Sequence, residues 1–201
     1  MIEIFTKEFI KGYFSRNKKL ILIALVIFLI FFAIGIIIGN LQVGDNYGAI
    51  TKALSQSNKT PDFSDVGGGA IGLFTHNLVV DLIIFFLGIL FSVISLLMVI
   101  FNAIVIGVPF GSDFYFASLS ITPHFIFEYL GGSVFSLTGA FLITKLEISA
   151  IKKRSIKEAI SDSYILKDIL FSLVLMVIFL LIAALIEGYL TPAIVISAFS
   201  K

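Results

Sequence analysis

Asn77 to Val108 reads NLVVDLIIFFLGILFSVISLLMVIFNAIVIGV, and how often these 32 residues cross a membrane decides the architecture of the whole chain. As one helix they would span roughly 48 Å at 1.5 Å per residue, against about 30 Å of hydrocarbon, so the stretch is too long for one crossing and tight for two. Its middle, Phe91-Ser92-Val93-Ile94-Ser95, carries no charge and offers only serines as turn formers. Either one helix tilts steeply or a short hairpin folds back near Ser92 to Ser95.

The flanking sequence has the same apolar character. Leu20 to Gly39 is an uninterrupted apolar run long enough to cross once. It ends in Gly-Asn rather than a small-residue cleavage site, so it is expected to be a retained anchor. Ile121 to Thr144 is a further span, opened by Thr122-Pro123, where Thr caps and Pro suits a first helical turn. Leu166 to Leu190 is the last, with Thr191-Pro192 expected to stop it. The chain is 59% hydrophobic and only 13% charged, with a mean hydropathy of +1.11. That departs from soluble domains on both counts, and the surplus apolar surface must face lipid. Without cysteine, disulfides, thiolate metal sites and cysteine nucleophiles are excluded.

Charge fixes the number of crossings. Five bases lie before the first span (Lys7, Lys11, Arg16, Lys18, Lys19) and six between Lys145 and Lys167. The positive-inside rule places both clusters in the cytoplasm, which requires an even number of crossings between them. Residues 77–108 must therefore cross twice or return to their own side, and the expected form is a hairpin of spans 77–94 and 95–111 joined by a buried turn that neighbouring helices satisfy. The expected fold is all-α, a single polytopic membrane helix bundle over residues 1–201 with about five transmembrane helices, including the short central hairpin. Residues 1–19 are read as a basic interfacial helix, 20–39 as the first span, 40–76 as an outer loop with a short helix, 121–144 as the fourth span, 145–165 as a basic inner loop and 166–190 as the fifth span. The N-terminus is then cytoplasmic and the C-terminus outside, in the cell membrane.

The outer side of this topology is acidic. Asp81, Asp113, Glu128 and Glu187 sit toward outer helix ends, with no Lys or Arg between Lys59 and Lys145. Asn77 and Asp81 are four apart, as are His124 and Glu128, so each pair shares a helix face. Ionisable residues within a membrane usually face a bundle interior or wet cavity. Asn77, Asp81, Asn102, His124 and Glu128 are thus a candidate polar intramembrane cluster able to bind a cation, a proton or a basic segment. The plainer alternative sets Asp81 and Glu128 near positive helix N-termini, with the histidine hydrogen-bonding its i+4 neighbour. Glu187 argues against that, lying near an expected helix C-terminus. His-x-x-x-Glu lacks the second histidine of the zinc-protease pattern, and His76 and Asp113 would have to complete a shell, so no metal and no cofactor is expected. No Ser/His/Asp arrangement is visible, and no enzyme is expected. Gly67-Gly68-Gly69 lacks the Gly-Lys-Ser/Thr of a phosphate loop. Asn58-Lys59-Thr60 is a weak glycosylation-type triplet disfavoured by Pro61. Gly35-x-x-x-Gly39 and a stripe of Gly132, Ser136, Ala140 and Thr144, together with Gly88 and Gly107, are read as close-packing positions inside the bundle rather than a dimer face.

Thr122-Pro123-His124-Phe125-Ile126-Phe127-Glu128, followed by Gly131-Gly132, resembles the Pro-His-Gly-Ile-x-Glu signature of the stage II sporulation protein M family. Asn77, Gly88, Asn102 and Gly107 are similar to the Asn…Gly…Asn…Gly spacing of its central hairpin. Phe125 stands where that family usually has Gly, and His76 where an Asn-Asn pair is usual. The resemblance implies a membrane component of a machine that remodels the cell envelope, its cell-wall enzymes being separate proteins. Relatives in archaea and non-sporulating bacteria look similar. The expected role is therefore a membrane scaffold or assembly component. A small transporter or channel-like protein using the polar cluster is the alternative. Expected partners are the lipid bilayer and other membrane proteins, with a homo-oligomer open and no nucleic acid.

Overall fold

The computed structural model describes residues 2–43, 48–56, 69–161 and 164–199. Among these there is no strand, and the helices are α1 (Lys7–Val43), α2 (Ala49–Gln56), α3 (Gly69–Phe86), α4 (Val93–Ser112), α5 (Phe114–Ser120), α6 (Thr122–Phe127), α7 (Val134–Lys153), α8 (Ile156–Ile160), α9 (Ile165–Leu185) and α10 (Thr191–Phe199). Five rods, 7–42, 69–90, 93–112, 122–153 and 165–199, are long and apolar enough to cross a membrane. Leu22, Ile23, Val26, Ile30, Ile37 and Leu41 stand exposed along α1, as expected of a lipid-facing surface. The Asn58-Lys59-Thr60 triplet, Gly67 and Gly68 lie outside the described residues.

The central stretch folds as a hairpin. α3 tightens into a 3-10 turn over Leu87–Leu90, the chain reverses through Phe91 and Ser92, and α4 starts at Val93. Both reversing residues have positive φ, 52° and 57°, a conformation that non-glycine residues hold only when surroundings fix it. The fixing group is on α7: Thr144 Oγ1 donates to the Gly88 carbonyl at 3.0 Å and pairs with Ser92 Oγ at 2.6 Å. Ser92 is buried there, so the uncharged turn is satisfied by a neighbouring helix instead of water.

Small residues set the helix pairing. A Cβ at Gly107 would stand 2.9 Å from Gly35 Cα, and one at Gly39 would stand 3.0 Å from Gly111 Cα. Two glycine pairs thus face each other in the same order, and α1 and α4 run parallel with their backbones touching. On the other side of the hairpin, a Cβ at Gly88 would stand 2.6 Å from Ala140 Cα, and Ser136 Oγ donates to the Asp81 carbonyl at 2.9 Å. α3 and α7 therefore also run parallel.

The basic N-terminal segment is not a helix of its own. From Lys7 it continues without a break into the first apolar run, since no proline intervenes and the one early glycine, Gly12, costs only about 1 kcal/mol of helix propensity. α9 holds it in place. Tyr13 Oη pairs with Ser172 Oγ at 2.6 Å, Arg16 Nε and Asn17 Nδ2 donate to Asp168 at 3.1 and 2.9 Å, and Lys167 meets Glu3 at 2.6 Å. The two basic segments meet at one end of the bundle.

The last rod differs from expectation. Thr191-Pro192 does not stop it: the helix passes through a π turn at Ile186–Leu190 and continues as α10. Proline removes a hydrogen bond and clashes with the carbonyl four residues back, and a local π turn absorbs that conflict without ending the helix. Glu187 therefore lies within a rod, not at a helix end. A second π turn, Glu128–Ser133, joins α6 to α7.

Candidate functional site: a polar cavity between the helices

The sequence-derived cluster is spread over three rods, and the hairpin brings them together. Asn77, Asp81, Asn102 and Glu128 line one cavity of about 150 Å³, with His76, Tyr129 and Ser133. His124 lines a wider neighbouring cavity of about 1090 Å³, which shares His76, Asn77, Glu128 and Tyr129 with the first and extends past Asp113, Glu187 and Thr191. Asp81 and Asn102 lie well inside α3 and α4, while Gly69, Ser112 and Glu187 lie at or just past the ends of α3, α4 and α9, so the two cavities together extend from the middle of the bundle to the end away from Arg16 and Asp168.

Asp81 is 3% exposed, and its Oδ1 accepts from Ser133 Oγ at 3.4 Å, at the long limit for such a bond. Glu128 is also buried. Among the described residues, no Lys or Arg pairs with Asp81, Glu128 or Glu187; the ion pairs of those cations go to Asp168 and Glu3. His124 Nε2 lies 3.9 Å from Glu128 Oε2, too far for a hydrogen bond. Its Nδ1 is buried without a partner. The i+4 bond of the plainer reading is thus not made.

Glu187, unlike His76 and Asp113, completes a group: single ligand atoms of His124, Glu128 and Glu187 all lie within 4.8 Å of one another. His76 is exposed on the rim. Asp113 is the N-cap of α5, accepting from Phe116 N at 3.1 Å and from Thr51 N at 2.7 Å, which accounts for that acid structurally.

Of the packing positions, Gly35, Gly39 and Gly107 sit at the α1–α4 contact and Gly88 and Ser136 at the α3–α7 contact, while a Cβ at Gly132 would stand 2.6 Å from Leu180 and 2.9 Å from Asp81 Oδ2. Gly111 belongs with them and was legible as Gly107-x-x-x-Gly111.

The family model for SpoIIM, stage II sporulation protein M, matches residues 24–192, including all five cluster residues. The chain belongs to the stage II sporulation protein M family. No curated protein and no solved structure matches it. In this family member Phe125 does not line either cavity. It packs instead among Phe28, Phe32, Phe110 and Tyr129, with ring centroids 5.0 to 6.1 Å away, tying α6 to α1 and α4. The large side chain at that position leaves the cavity open.

Proposed function

We propose that this stage II sporulation protein M family member binds a cation in the acidic cavity and acts as a small transporter or channel-like protein. One observation carries the reading: Asn77, Asp81, Asn102 and Glu128 converge on a cavity in which the carboxylates have no Lys or Arg counterion among the described residues. Buried carboxylates are costly unless something positive compensates them, and an exchangeable cation or proton supplies that. The reading assigns no catalysis and no nucleic-acid partner. It sets the chain in the cell membrane with the N-terminus cytoplasmic, the C-terminus outside and the cavity facing outward. The joining of both basic segments at the opposite end supports that orientation.

The scaffold reading, an assembly component of the membrane or envelope contacting other membrane proteins, draws on the serine hydrogen bonds that tie Asp81 into the bundle. Cation and proton flux in proteoliposomes, for wild type and Glu128→Gln, separates the two. The transport reading expects flux in the wild type and its loss in the variant. Correctly folded protein with no flux would hand the chain to the scaffold reading.

A further inference from the structure

We infer that His124, Glu128 and Glu187 form a binding site for a divalent transition-metal ion, zinc-like in its ligand preference, open on one side to the wide cavity. The inference rests on reading this cavity as cation-binding and names the class of cation.

The ligand atoms lie within 4.8 Å of one another, so small side-chain adjustments let one ion reach all three with bonds of about 2.0 to 2.2 Å. The donor chemistry is selective. One imidazole nitrogen with two carboxylates suits zinc, manganese or iron, whereas calcium and magnesium sites are built from oxygen alone. Three protein ligands leave a fourth position for water, and the cavity lined by Asn77, Thr191 and these residues has room for it.

The independent observation is the state of the histidine. His124 is 5% exposed, its Nδ1 has no hydrogen-bond partner, and its Nε2 is 3.9 Å from the nearest carboxylate oxygen. A buried imidazole is normally satisfied at one nitrogen at least. Here its environment lacks a bonded partner and holds two carboxylates with no Lys or Arg pair. A divalent ion held at Nε2, the nitrogen that faces Glu128, would give the imidazole one bonded partner and the two carboxylates a counter-charge.

The backbone gives a third indication. Glu128 opens the first π turn and Glu187 lies inside the second, and single π turns within α-helices occur frequently at functional sites.

The test uses full-length protein in detergent, stripped with chelator and then titrated with zinc. The expected result is a single tightly bound zinc ion per chain, counted by elemental analysis, with affinity falling about a hundredfold or more in both His124→Ala and Glu187→Gln. Loss of a mere outer-shell partner already costs roughly 10- to 100-fold. Unchanged affinity in these variants, or no stoichiometric zinc in the wild type, overturns the site. Should a variant fail to fold, cobalt-substituted wild type decides alone: visible ligand-field bands of nitrogen and oxygen coordination support the site, and the spectrum of aqueous cobalt overturns it. Stoichiometric zinc without flux sinks the transport reading and leaves the site, whereas flux without stoichiometric zinc sinks the site and leaves transport.

Discussion

Substitution of Gly35 by alanine probes the contact on which the hairpin topology rests. The added methyl would stand 2.9 Å from Gly107 Cα and still closer to the Ile104 carbonyl oxygen, where ordinary contact begins near 3.4 Å. Both obstacles are backbone, so no rotamer change relieves them and the helices must separate. Overpacking of this kind costs about 1 to 3 kcal/mol, and a backbone-on-backbone clash belongs at the upper end. Alanine returns about 1 kcal/mol of helix propensity over glycine. The net loss is then about 2 kcal/mol, or a fall of roughly 4 to 8 °C in midpoint for a chain of this size. Thermal unfolding of purified protein in one detergent reads it, with Gly12→Ala as the comparison. At Gly12 the nearest obstacle is Arg16 Nη1, 2.7 Å away, a side-chain nitrogen that makes neither of the bonds to Asp168, so that variant should lose less stability than Gly35→Ala. Gly107→Ala acts on the same gap, and combining it with Gly35→Ala should cost less than the two separate losses together. A Gly35→Ala protein melting at or above both wild type and Gly12→Ala would refute the parallel α1–α4 contact.

Thr144→Val removes the hydroxyl that serves Gly88 and Ser92. It should lower stability by about 1 kcal/mol, the usual scale for a hydrogen bond between membrane helices, and an unchanged melting temperature would remove Thr144 as support of the turn. Asp168→Ala strands Arg16 and Asn17; since Arg16 is partly exposed, the loss should lie near the lower end for broken buried pairs, about 3 kcal/mol, again read by thermal unfolding. Because the chain has no cysteine, Asn102→Cys can be labelled with a membrane-impermeant maleimide. It should react where Val99→Cys, at a fully buried position one turn earlier, does not, and equal labelling of the two would contradict a wet cavity at Asn102.

The hairpin was legible because its alternative is electrostatically expensive. A single crossing over residues 77–108 would carry the bases between Lys145 and Lys167 across the membrane, and no feature of the apolar stretch outweighs that. The glycines were legible as types, since Gly35-x-x-x-Gly39 in an apolar helix marks a close helix approach, but not as pairs: that Gly35 meets Gly107 depends on tertiary register. Glu187 was missed as a member of the His124–Glu128 group for two reasons. Its partners lie on a rod distant in sequence, and Thr191-Pro192 reads locally as a helix end. In the bundle the helix continues, because neighbouring rods hold the π turn that proline forces. The N-terminal segment shows the converse limit. Its basic, amphipathic character is compatible with an interfacial helix, and only the contacts of Tyr13, Arg16 and Asn17 with α9 show where its inner face is held.

Packing and the cavity share atoms in this molecule. The glycines of both π turns are contact points: Gly131 and Gly132 lie against Phe179 and Leu180 of α9, and Gly188 lies against Ala70 at the start of α3. Each shares its π turn with a glutamate of the His124 group. A side chain added at Gly131 or Gly132 would press on α9, and one at Gly188 would press on α3, so each disturbs the helix contacts and the placement of the glutamates together. Large substitutions here therefore cannot separate a transporter from a scaffold. Isosteric changes can, because Glu128→Gln and Glu187→Gln keep the volume that the neighbouring helices pack against and remove only the charge. A cation-binding role needs that charge, whereas a packing role needs only the shape, so a fold that survives both amides while binding disappears would assign the carboxylates to the cation and the glycines to the frame that holds them.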